Sequence, residues 1–245
     1  MTALPFPCRV VSLVPSLTEA IAVTCPGVLV GATDWCTHPA DLDVVRVRGT
    51  KNPDLAAVIQ LEPDLVVVNR EENRADDIDA LRAAGLRVRM TDPVTVPQAL
   101  TQLGDLLAAL GATDVDWWEQ AESVWRTPCI SARTTAVVPI WRKPWMALGH
   151  ATFAGDLLAR LGVDHVLTDD AERYPRFDPT ALPPLDLVIL PDEPYTFAAD
   201  NGPEAFPGVP TALVSGRHLT WYGPSLARAR DVLRAQLDAA VVRSW

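Results

Sequence analysis

The stretch TDVDWWEQAESVWRT, Thr113 to Thr127, divides the chain, and its reading decides the fold. Val115, Trp117, Trp118, Ala121, Val124 and Trp125 recur at helical spacing and give one apolar side. Asp114 is placed to cap the first turn, Asp116 and Glu119 lie where the helix dipole favours anions, and Arg126 and Pro128 close the far end. Strand and helix patterns alternate before this helix and begin again after it. The spacing therefore predicts a connecting helix between two similar α/β halves: residues 1–112, the connector 113–128, and residues 129–245.

Moving toward the amino terminus, Arg9 to Val14, Val28 to Ala32, Leu65 to Val68 and Leu86 to Met90 read as buried strands. Between them, Ser16 and Glu19 have capping-box spacing, and Asn52-Pro53-Asp54 opens a helix with an Asn cap and Pro at its first position. A further helix passes through Leu81, and Thr95 with Gln98 opens one that runs to Gly111. Toward the carboxyl terminus, Thr134 to Ile140, Leu187 to Leu190 and Thr211 to Val214 read as strands, and Thr152 to Leu161 and Ser225 to about Val242 as helices. Such alternation predicts two Rossmann-like lobes, each a mainly parallel sheet flanked by helices. Asn52-Pro53-Asp54 leads through a short helix to PDLVVV (Pro63 to Val68), Asp178-Pro179-Thr180 leads to LDLVIL (Leu185 to Leu190), and both end in acidic loops, Arg70-Glu71-Glu72 and Asp192-Glu193. Loops at the carboxyl ends of parallel strands are where open α/β sheets bind ligands.

The composition limits what such a chain can do. With 245 residues, 49% of them hydrophobic, it can bury one large core or two modest ones. A formal charge of −10 argues against nucleic acid and anionic membranes as partners, since both call for basic patches. No apolar run is long enough to span a bilayer. The start, MTALPFPCRVVSL, lacks a basic region followed by an apolar one, and Pro5 and Pro7 replace the small residues of a lipoprotein site before Cys8. As written, the chain is expected in the cytoplasm. Cys8, Cys25, Cys36 and Cys129 have no CxxC spacing and read as free thiols.

Several stretches resemble one family: RVVSLVPSLTE (Arg9 to Glu19), GTKNPDLAAVIQLEPDLVVVN (Gly49 to Asn69), LRAAGLRV (Leu81 to Val88) and, more weakly, FAGDLLARLGV (Phe153 to Val163) and LDLVILPDEP (Leu185 to Pro194). They are similar to the helical-backbone, class III periplasmic binding proteins, the receptors for vitamin B12, ferric siderophores, haem and metals. That resemblance implies two lobes joined by one helix, with a ligand held in a cleft between them. It places Trp35 where the B12 receptors present an aromatic ring, and Thr50 and Asn69 where they carry tryptophans. The family's transporter-docking glutamates would fall near Ala56 and Thr180, neither of them acidic. An ABC transporter permease is thus a partner the resemblance implies and the docking positions do not match. The family is normally periplasmic or on the cell surface.

The candidate ligand-binding residues are Trp35, His38, Asn69, Arg70, Glu71, Trp141, Arg142, Trp145, His150, Tyr195, Arg217, His218, Trp221 and Tyr222. The connector tryptophans read as packing. Those at 35, 141, 145 and 221, in expected loops, are either walls for a planar or greasy ligand or packing between lobes. Trp245 ends the chain. The arginines, with Lys143, either pair with ligand carboxylates or neutralise the acidic loops. His38, His150 and His218 either bind a metal ion or are ordinary loop histidines; no pair has ligand spacing. No P-loop, GxGxxG turn, nucleophile elbow or paired-carboxylate site is present, so no catalytic residue is assigned. The expected function is a substrate-binding protein for a metal chelate of corrinoid, siderophore or haem type, needing no cofactor of its own. The alternatives are a cytoplasmic enzyme acting on such a complex, a metal-ion binder, and a sensor that closes on its ligand.

Overall fold

A computed structural model describes residues 6–127, 133–168 and 172–242. Pro128, Cys129 and Trp245, and the start through Pro5, lie outside the described residues. The chain forms two compact units: Met1–Asp92 with Leu100–Glu119 and Tyr222–Pro224, and Pro93–Ala99 with Gln120–Trp221 and Ser225–Trp245.

In the first unit, β1 (Val10–Ser12), α1 (Pro15–Thr24), β2 (Leu29–Ala32) and β3 (Val45–Arg46) are followed by a small antiparallel pair, β4 (Arg48–Gly49) and β5 (Asn52–Pro53). Then come α2 (Leu55–Gln60), β6 (Leu65–Asn69), α3 (Ala75–Ala83), β7 (Val88–Thr91), α4 (Val96–Ala109) and α5 (Asp116–Trp125). The main sheet runs β3-β2-β1-β6-β7 with every pair parallel. Because both faces are covered, β1 and β6 are apolar on both sides. Val11, Leu13, Val66 and Val68 meet Val58, Ile78 and Leu81 in one core.

The second unit contains β8 (Thr134–Val137), the antiparallel hairpin β9 (Pro139–Arg142) and β10 (Trp145–Ala147), α6 (Phe153–Arg160) and β11 (Val163–His165). It continues through β12 (Leu187–Pro191), β13 (Thr211–Val214), α7 (Gly216–Thr220) and α8 (Leu226–Asp238). Its sheet, β11-β8-β12-β13, is also all parallel. Val137, Val188 and Leu190 pack with Phe197 and Phe206 beneath it. The expected class, two parallel sheets flanked by helices, is the one observed.

Several local expectations differ. Pro15 starts α1, so Val14 rather than Ser16 is its N-cap, and no side chain caps it. Asn52 and Pro53 belong to β5; Asp54 caps α2 and accepts from the Ala57 amide at 3.1 Å. Asp114 has φ +56° and lies outside α5, whose first turn does carry Asp116 and Glu119. Thr134 to Ile140 is two strands broken at Val138, β8 pairing with β12 in the parallel sheet and β9 with β10 in the hairpin. His218 lies on α7 instead of a loop, since Ser215 caps a five-residue helix there.

Candidate functional site

Each sheet ends, at its carboxyl edge, in loops that carry most of the candidate residues. In the first unit the loop after β2 presents Trp35, 65% exposed, against the β4–β5 pair. Asp34, Trp35, Arg48, Gly49 and Asn52 line an open hollow of about 470 Å³. The backbone of the pair supports the loop: the Asp34 amide donates to the Arg48 carbonyl at 2.8 Å. A side chain at Gly49 would press on the Trp35 indole nitrogen, 3.3 Å away, and on Asn52. His38 is half-buried, its Nδ1 3.2 Å from the Thr37 hydroxyl.

The loop after β6 is built differently. Asn69 is buried and accepts at Oδ1 from the Glu71 and Glu72 amides (2.8 and 3.1 Å), while its Nδ2 donates to the Tyr222 hydroxyl at 2.7 Å and the Thr91 carbonyl at 3.2 Å. Tyr222 is buried too, and its hydroxyl is 2.8 Å from Thr91 Oγ1. Burial, with the Glu72 charge nearby, pushes its phenol well above the ordinary range. Asn69 and Tyr222 therefore hold the loop; their polar atoms are spent inside the protein. Arg70 is paired with Asp92 at 2.6 Å, Arg48 with Asp54 at 3.7 Å, and Lys51 donates to the Glu71 carbonyl.

In the second unit the hairpin places Trp141, 44% exposed, edge-on to Tyr195 with ring centroids 5.6 Å apart. Trp145 faces inward, stacked on Phe197 at 6.0 Å and edge-on to Phe206 at 5.6 Å, so it is part of the core. Arg142 donates to Asn201 and to the Glu204 carboxylate, and its guanidinium lies 5.5 Å from the Trp145 ring centre. Burial raises the Glu204 pKa, but the Gly202 amide and Arg142 outweigh it and hold the carboxyl below its usual range.

At the ends of β12 and β13, the Gly216 amide donates to Asp192 Oδ1 at 2.7 Å, and the Arg217 guanidinium lies 5.7 Å from the Trp221 ring centre. Burial, reinforced by Asp192, pushes the Glu193 carboxyl up despite a hydrogen bond from Trp221 and the charge of Arg217. His218 Nδ1 is 2.9 Å from its own cap, Ser215 Oγ. His150, after β10, is half-buried beside buried His165, whose three-residue strand β11 is too short to leave a pattern in the sequence.

Among the described residues no group of three His, Cys, Asp or Glu side chains is placed to hold a metal ion. No described helix is long and apolar enough to cross a membrane.

No protein-family model matches the chain. The vitamin B12-binding protein of Salmonella typhi is 30% identical over 101 residues, 41% of this chain and 38% of that protein. The chain thus matches well under half the length of its curated relatives. Similarity of fold reaches further. The periplasmic vitamin B12 binding protein BtuF of Vibrio cholerae superposes with a TM-score of 0.73 at 14% identity, covering 96% of this chain and 98% of that one. A periplasmic heme binding protein from Pseudomonas aeruginosa gives 0.73 at 21%, over 97% and 95%. These proteins are named for binding, which lends the enzyme alternative no support. Over about two fifths of its length the chain is thus similar in sequence to vitamin B12-binding proteins, and over nearly all of it the fold is the one these periplasmic binding proteins share.

Proposed function

We propose that the chain is a substrate-binding protein for a metal chelate whose rim is uncharged, a corrinoid-like ring edged with amides, in preference to a haem bearing propionates or an anionic ferric siderophore. One observation carries the choice among the three: the arginines of the strand-end loops have acidic neighbours in their own unit. Arg70 has Asp92, Arg48 has Asp54, Arg142 has Glu204, and Arg217 stands beside Glu193. A ligand carboxylate would have to displace these acids, and the chain's charge of −10 adds to the cost. Trp35, Trp141 and Trp221 offer ring faces suited to a large, mostly apolar ligand, and backbone amides and Asn52 can meet neutral amides. The partner in this reading is the small molecule itself. Ala56 and Thr180, both exposed, offer no charge for docking to a transporter.

Titrating tryptophan fluorescence with cyanocobalamin, hemin and a ferric hydroxamate siderophore tests the proposal. Saturable quenching is expected from all ligands that bind, tightest for cyanocobalamin, and Trp35→Ala or Trp221→Ala should weaken it by about tenfold, the loss expected for one aromatic contact. Natively folded protein that no chelate quenches would remove the proposal; tighter binding of hemin would remove the preference for an uncharged rim.

A further inference from the structure

Arg142 and Glu204 form the most heavily built ion pair in these loops, and the surrounding contacts give it a purpose beyond stability. The guanidinium is held on three sides: by Glu204, by Asn201, and by the Trp145 ring. Glu204 in turn accepts from the Gly202 amide at 2.6 Å. Asn201 donates to the Thr196 carbonyl at 3.1 Å and to the Tyr195 hydroxyl at 3.3 Å, and Tyr195 is the ring against which Trp141 stands. The pair is nevertheless accessible, with 26% of the Arg142 side chain and 31% of that of Glu204 exposed. A guanidinium so placed, on the hairpin that carries the exposed Trp141 ring, is a ready fork for a ligand carboxylate, and Glu204 occupies it.

We propose that Glu204 is a specificity-determining residue: by occupying the Arg142 fork it denies that cation to carboxylate-bearing chelates, and its removal turns the loop toward them. The inference rests on the binding function proposed above. It separates two roles for the acid. An acid that served only to hold the hairpin would, when removed, weaken every ligand alike. An acid that blocks a cation would, when neutralised, change the ratio of affinities between ligands of different charge.

The test compares cyanocobalamin, which has no free carboxylate, with hemin, which has two, by fluorescence titration of the intact chain and of two variants. Glu204→Gln keeps the shape but only one of the two acceptor oxygens, leaving the Gly202 amide or the guanidinium without its bond, and should shift the affinity ratio toward hemin by about tenfold, the scale of one charge-assisted hydrogen bond. Arg142→Gln leaves Glu204 uncovered and should shift the ratio the other way. Circular dichroism checks folding, and the second variant keeps the test open if the first does not fold. Ratios that stay within about twofold of the parent in the folded variants, at the precision of such titrations, overturn the proposal. If the parent chain binds neither chelate, the function proposed above fails first and this inference falls with it, before any variant is made.

Discussion

His165 carries a neutral imidazole into the second unit's interior. Burial, aided by His150 and opposed by the Leu148 carbonyl and Asp164, lowers its pKa to about 4. The unfolded chain takes up this proton near pH 6.5 and the folded chain only near 4, so protonation favours unfolding between those values. Stability should be full above pH 6.5 and fall as the pH drops toward 4, by up to about 3 kcal/mol. Urea midpoints across that range would show it. The slope should flatten in His165→Asn, and an identical pH dependence in that variant would refute the assignment. Tyr222 and Asn69 show why some residues are harder to assign from sequence. Both stand among tryptophans and charged loops, the company a ligand contact keeps, yet they bond to each other across 153 positions. A buried hydrogen bond between distant residues leaves no local pattern, and only the assembled loop reveals that their polar atoms are already used.

At the scale of elements, the strands whose faces are both covered were legible. Val66 to Val68 and Val188 to Leu190 are apolar without interruption because each lies inside a parallel sheet. The hairpin β9–β10 was not, because Pro139 to Trp141 continues the apolar run of β8 with a break only at Val138, and the turn that folds β10 back lies beyond it, at Lys143 and Pro144. β11, three residues long and lying directly after α6, was equally silent. α6 offers a decisive test of element packing. Thr152 caps it, accepting from the Gly155 amide at 3.0 Å. A side chain at Gly155 would meet the His150 carbonyl and, at 2.7 Å, that of Gly149. Helix propensity alone says that Gly155→Ala should gain about 1 kcal/mol. Backbone crowding predicts the opposite sign, a loss of at least about 2 kcal/mol, because the opposing atoms are carbonyls that cannot rotate away. A midpoint shift in urea gives the answer, and any stabilisation would show that the loop before α6 yields freely.

For the whole molecule, two units with separate cores unfold as two cooperative bodies or as one, and ligand shows which of them it engages. A ligand that binds only folded protein stabilises it by about 2.7 kcal/mol at a hundred times its dissociation constant. For 150–250 residues each kcal/mol is worth roughly 2–4 °C, so the melting transition should rise by about 5–10 °C. Calorimetry with saturating cyanocobalamin measures this independently of tryptophan quenching, which an absorbing chelate can imitate optically. If two transitions are resolved, the one that moves identifies the unit that carries the contacts. Movement of the first would point to the Trp35 hollow, of the second to the Trp141 and Trp221 loops, and of both to contacts from each sheet's carboxyl edge. A thermogram that the chelate leaves unchanged, in protein whose fluorescence it quenches, would expose the quenching as optical and remove the binding assignment from both units.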